Sequence, residues 1–334
     1  MLSLAILCWL STAVAQQTPR PLAFVTVRDG DAEIYVVNDD GTGLKRLTRN
    51  PAEDTHPTWS PDGKTIAFIS DRDGNDEIYL MNADGSGQRN LTRNPASDGY
   101  PCWSPDGRHI AFASDREGKS DIYVCRSDGT EVTNVSHSQI WASYPTWSPA
   151  GDRLAYVTDI DGNQEVFVCA PDGSQGVNVT RNPAWDGDPA FSPDGRKLVF
   201  KSHRAGNVGV FVVDLATLAV TNVSKNNVWN EEADWSPDGT KLAYASSPAG
   251  NREIVVADLA SGAKTNLTNN PDGDWAPRWS PDGQRICFLS DRDGEVRLYV
   301  MSADGSGVRE VSGGAVLDEA ASWRPLPRPG ARPQ

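Results

Sequence analysis

Trp141, Trp185 and Trp229 stand 44 residues apart, and three residues after each comes one of changing character: Tyr144, Asp188 and Glu232. The preceding unit places Tyr100 at the equivalent offset, and Glu231 stands beside Glu232. Large aromatic rings interspersed with carboxylates can do two kinds of chemistry. They can anchor a partner, since exposed Trp and Tyr are enriched where surfaces bind. They can also hold protons for acid–base work, if the carboxylates lie in different environments. We read Tyr100, Trp141, Tyr144, Trp185, Asp188, Trp229, Glu231 and Glu232 as one lopsided partner-binding rim. No catalytic residue is assigned: the chain has no GxSxG elbow, no HExxH and no P-loop.

Other candidates read as structural. Asp54, Asp98, Asp186, Asn230, Asp274 and Asp318 recur at one offset, with Ala142 the exception, and are expected to accept backbone N–H bonds in a turn. Asp71-Arg-Asp73-Gly-Asn75-Asp-Glu77 looks like a short calcium loop, but sister loops such as Ser247-Pro-Ala-Gly-Asn lose the carboxylates, so no metal is assigned. His56, His137 and His203 fall on different units, without a ligand pattern. No cofactor is expected. The N-glycosylation patterns at Asn90, Asn134, Asn178, Asn222 and Asn266 all follow the repeat, which explains them without any sugar.

The elements that must position these residues follow from the repeat. Trp59-Ser-Pro-Asp-Gly returns at Trp103, Trp147, Phe191, Trp235 and Trp279, with Ala150 for the Asp in one copy and a degenerate end at Trp323-Arg-Pro. A fixed period of 44 residues marks a repeat architecture. Each unit reads as four short strands, A to D, separated by Gly-containing turns; residues 57–100 show the pattern in full. That describes a blade of a β-propeller. The first unit opens at its B strand, Leu22-Ala-Phe-Val-Thr, and the last ends at Trp323. We therefore expect an all-β, seven-bladed propeller of four-stranded antiparallel blades, closed by pairing the C-terminal strand with the N-terminal three. The recurring Trp should pack between blades. The B–C and D–A loops should share one end of the ring, the mouth of a central channel.

The phrase Trp-Ser-Pro-Asp-Gly-Lys-x-Ile-Ala-Phe, then Ser-Asp-Arg-Asp-Gly-Asn-x-Glu-Ile-Tyr and Asn-Ala-Asp-Gly-Ser, resembles the WD40-like repeat of the TolB-type propellers. TolB itself is a non-enzymatic periplasmic protein whose propeller binds the lipoprotein Pal. The resemblance implies a propeller, export, and a protein or peptide partner such as an envelope lipoprotein. This chain differs from TolB in having seven units rather than six and no α/β domain ahead of them.

Residues 2–15 are apolar and end in Ala13-Val-Ala15, the small-x-small pattern of a signal cleavage site. The organisation expected is a signal peptide over 1–15, the propeller over 16–326 and a disordered Pro/Arg-rich tail over 327–334. The location expected is periplasmic or secreted. A net charge of −14 argues against nucleic acid or an anionic membrane as partner. A monomer without membrane insertion fits these features. The expected function is a non-catalytic scaffold engaging its partner at the channel mouth; the alternative is a lyase or hydrolase acting on polysaccharide, with a metal at that mouth.

Overall fold

In the computed structural model, residues 18–326 are described, apart from 139, 160, 161 and 249. The expected signal peptide and tail lie outside them. The described residues form seven four-stranded antiparallel sheets. Blade 1 contains Asp54–Trp59 (A), Thr65–Ser70 (B), Glu77–Asn82 (C) and Arg89–Asn90 (D). Blades 2 to 6 follow with A strands at Asp98–Trp103, Ala142–Trp147, Asp186–Phe191, Asn230–Trp235 and Asp274–Trp279. Blade 7 is composite: Ser322–Trp323 pairs with Pro21–Thr26 through Leu22↔Trp323 and Ala23↔Ser322. The ring closes as the phase of the repeat requires, with only short outer D strands left as peripheral sheet edges. No helix among the described residues is long and apolar enough to cross a membrane.

Strands B and C form because β-branched and aromatic residues alternate there, and both faces are buried against neighbouring blades. One seam shows the pattern. Ala67, Ile78, Leu80 and Leu91 of blade 1 pack on Ile110, Phe112, Tyr123 and Cys125 of blade 2, with Trp103 at the edge. The recurring Trp does pack between blades, and its indole also ties them together. Trp103 Nε1 donates to Thr58 O at 3.3 Å, Trp147 to Cys102 O at 3.1 Å and Trp235 to Ala190 O at 3.1 Å.

The turn after each Trp is built by side chains. Ser60 Oγ and the Lys64 amide both donate to Asp62 Oδ1. In blade 3, where Ala150 replaces the Asp, Asp152 takes over and accepts from Ser148 Oγ. The C–D turn needs its glycine: Gly85 has φ +87, and a Cβ there would sit 2.7 Å from Leu47 O of the preceding blade.

The D-strand sequons have a structural job. Asn90 Oδ1 accepts the Arg93 amide, Thr92 Oγ1 accepts the Ile78 amide, and the same Thr hydroxyl donates to Glu77. All four described cysteines are free. Cys125, Cys169 and Cys287 are buried, whereas Cys102 is half-buried on the innermost strand.

Candidate functional site

The innermost strands deliver the mouth residues through a repeated distortion. In blades 1 to 6 the A–B register shifts, so that two A residues oppose one B residue. In blade 1 the two are His56 and Pro57, facing Phe68 between the Thr55↔Ile69 and Thr58↔Ala67 pairs. A bulge tolerates a proline, which has no N–H for the ladder. The first bulge residue is left-handed in all six blades, with proline after it in five and Ala233 in blade 5: His56 (φ 52), Tyr100 (53), Tyr144 (57), Asp188 (51), Glu232 (57) and Ala276 (51). None is glycine, so each of these six blades holds a strained position that turns one side chain out of the sheet.

These side chains meet around the mouth. Glu319, from the blade 7 loop, accepts the His56 amide at 3.0 Å and places Oε1 3.5 Å from His56 Nδ1. The His56 ring meets Tyr100 edge-on at 5.3 Å between centroids, and Tyr100 meets Tyr144 at 4.6 Å. Trp141 follows at 6.2 Å from Tyr144. Burial pushes the Tyr100 hydroxyl up to about 12, helped by its hydrogen bond to Tyr144 and by the charges of Glu319 and Asp188. Farther round, Glu232 accepts the Ala276 amide at 2.7 Å, and its carboxyl is raised by burial and by the adjacent Glu231.

The rim predicted from sequence thus divides into two groups. Tyr100, Trp141 and Tyr144 form one continuous aromatic run. Trp185, Trp229 and Glu231 line a separate cavity at the seam of blades 4 and 5, while Asp188 pairs with Lys201 at 2.6 Å. Sequence reasoning left out His56, Glu319 and Lys201. Lys201 carried a signal, since it stands where sister strands have Ile69, Ala113 or Val157. A second level also went unread. Thr58, Cys102, Thr146, Ala190, Asp234, Arg278 and Ser322 all directly precede the recurring Trp or Phe and are half-buried on the channel wall. Burial raises the Asp234 carboxyl, and the Arg278 charge opposes that shift.

The repeated carboxylates are structural, but their partners differ from expectation. Asp54, Asp98, Asp186 and Asp274 are fully buried and pair with Arg72, Arg116, Arg204 and Arg292 of their own B–C loops at 2.7–2.9 Å. The calcium-like loop spends its carboxylates internally. Asp71 Oδ1 accepts the Glu53 amide, and Asp73 accepts from Tyr79 and from Asn90 Nδ2. Among the described residues no group of three or more His, Cys, Asp or Glu is placed to hold a metal ion. The metal of the alternative reading therefore has no fitting donor set, and no chemistry is routed through one.

The comparisons with known proteins correct the functional expectation. An oligogalacturonate lyase in complex with manganese superposes with TM-score 0.71 at 17% identity, covering 85% of this chain and 86% of the lyase. A Mycobacterium tuberculosis puromycin-hydrolyzing peptidase superposes with TM-score 0.69 at 17% identity, covering 87% of this chain and 53% of the peptidase. Over 48 residues the chain is 42% identical to the uncharacterized peptidase YuxL of Bacillus subtilis (strain 168), a match spanning 14% of this chain and 7% of that protein. At these identities the superpositions show the fold alone. They overturn the expectation of a non-catalytic scaffold and the assignment as a non-enzyme, because this blade arrangement is one that enzymes use. The Tricorn protease N-terminal beta propeller domain matches residues 22–119. The TolB beta propeller domain matches residues 134–234 and 207–327, more than half of the chain, and the protein belongs to that family.

Proposed function

We propose that this protein is an exported enzyme that cleaves a saccharide linkage at the channel mouth by acid–base catalysis. One observation carries the reading: Glu319, His56, Tyr100 and Tyr144 form an unbroken chain of proton-holding groups, continuous with the indole of Trp141. Glu319 accepts the His56 backbone amide, and Thr55 Oγ1 at 3.2 Å and Glu319 Oε1 at 3.5 Å both face Nδ1, which leaves Nε2 as the base. Tyr100 keeps its proton at neutral pH and is suited to deliver it to the departing glycosidic oxygen. Trp141, with Tyr144, offers a flat apolar face for a sugar ring beside these groups. The eight rim residues are thus assigned to a saccharide rather than to a protein partner. Export rests on the apolar residues 2–15 and their Ala13-Val-Ala15 end.

The test is incubation of the mature chain with a panel of neutral, acidic and amino polysaccharides, following reducing ends and ultraviolet absorbance. New reducing ends with an unsaturated chromophore would indicate elimination; new ends without it would indicate hydrolysis. Either activity should fall at least ~100-fold in His56→Ala and Tyr100→Phe, with the far-ultraviolet circular dichroism unchanged. Absence of cleavage across the panel, or cleavage indifferent to both substitutions, would defeat the proposal.

A further inference from the structure

The seam between blades 4 and 5 holds a second site. A cavity of about 360 Å³ is lined by Trp185, Lys201, His203, Val208, Trp229 and Glu231. The His203 imidazole stands edge-on to both indoles, at 5.5 Å from Trp185 and 6.0 Å from Trp229, with interplanar angles of 83° and 89°. Gly187 leaves room for the Trp185 ring, since a Cβ there would lie 2.8 Å from it. Trp229 is 47% exposed, a large apolar surface left uncovered by the fold.

The charges in the cavity decide what it would select. The Lys201 ammonium lies 2.6 Å from Asp188 and 4.9 Å from the Trp185 centroid. Its charge is therefore matched within the protein, and one indole already receives a cation. Glu231 is half-buried and has no hydrogen-bond or ion-pair partner among the described residues. With the His203 imidazole neutral, the free charge of the pocket is negative, and the walls are aromatic. Such a setting attracts an ammonium group, through the indole face and through a charge-assisted hydrogen bond to the carboxylate. A carboxylate favours a primary ammonium with N–H donors over a quaternary one.

We infer that the Trp185–His203–Trp229 pocket, with Glu231, binds the protonated primary amine of an amino-sugar residue. The choice of a sugar as carrier rests on the proposed function; the choice of a cation rests on the pocket alone.

Calorimetric titration of the intact chain with glucosamine, glucose and N-acetylglucosamine at about pH 6.5, with tryptophan fluorescence alongside, tests this. Glucosamine should bind at least ~10-fold more tightly than the other two. Glu231→Gln, which preserves shape, should remove that preference, and Trp229→Phe should retain more affinity than Trp229→Ala. Equal binding of all three sugars, no binding at millimolar concentration, or an unchanged preference in Glu231→Gln would overturn the inference. The readout needs no turnover. Cleavage without amine preference would therefore remove this site and leave the proposed function standing, and amine binding without cleavage would do the reverse.

Discussion

The guanidinium of Arg116 reaches both carboxylate oxygens of Asp98, at 2.9 and 3.0 Å, and so joins the B–C loop of blade 2 to the root of its innermost strand. Asp98 is fully buried and Arg116 nearly so. Such a pair contributes little over an apolar substitute, but removing one partner strands a buried charge. Blade 5 has already made the double exchange: Asn230 stands for the Asp and Pro248 for the Arg, and Asn230 is held by Asn226 and Ser246 instead.

Arg116→Met should accordingly destabilise the protein by about 3–5 kcal/mol, and adding Asp98→Asn should recover most of that loss. Urea denaturation of the two variants checks this. A double variant no better than the single one would show that the guanidinium matters for packing on Phe112 and Tyr123, which it covers at 5.1 and 4.6 Å, rather than for charge.

The indoles between blades should not be equal. Trp235 donates its N–H to Ala190 O, whereas Trp279 Nε1 is buried with no partner among the described residues. Its neighbour Asp234 turns its carboxylate to the Trp279 amide at 2.7 Å. Trp235→Phe should cost about 1 kcal/mol more than Trp279→Phe, because only the first loses a hydrogen bond. Phe191 shows that the ring itself tolerates the change. Thermal unfolding of the two variants side by side gives the difference.

Stability should also carry a mark of Asp186. Burial and the nearby Glu165 push its carboxyl up to about 6, against the pull of Arg204 and the Ser202 hydroxyl. A carboxyl raised in the folded state is held protonated more tightly there than in the unfolded chain. Its contribution is therefore complete below the ordinary carboxylate range and is lost as the pH rises through about 6. Relative to Asp186→Asn, the wild type should lose on the order of 1–3 kcal/mol between about pH 4 and 7. Urea midpoints across that range would show it; a difference that does not change with pH would contradict the assignment.

Catalysis, in contrast, should be insensitive to alkali over a wide span. With the Tyr100 hydroxyl pushed up to about 12, the rate should show no loss from this group between about pH 7 and 9. The pH profile of kcat/KM on a cleaved substrate measures this, and an alkaline limb retained in Tyr144→Phe but abolished in Tyr100→Phe would reverse the conclusion.

The repeat made most of the fold legible. Period, strand count, closure at Trp323 and the packing role of the recurring Trp all follow from residues at fixed offsets, as does the grouping of Tyr100 with Tyr144. The co-loss of Asp and Arg in blade 5 was also open to reading, and blade 3 repeats it with Ala142 and Ile160. The contact between Glu319 and His56 was not. It joins residues 263 positions apart across the closing seam, and it uses the His56 backbone amide, which no side-chain pattern reports. The cavity at blades 4 and 5 was hidden for a related reason. Trp185 and Trp229 share an offset, but what lies between them is His203 from a loop of different phase.

Six innermost strands hold one residue each in the same left-handed turn of backbone, whether that residue is His, Tyr, Asp, Glu or Ala. The presenting conformation is thus indifferent to what it presents. The mouth presents six sockets of one backbone geometry, and a side chain changed in any of them leaves the hydrogen-bonded ladder behind it as it is. Specificity in such a ring can drift one blade at a time, and a specificity library starts from those six codons together with Trp141, Trp185, Trp229 and Glu231 beside them.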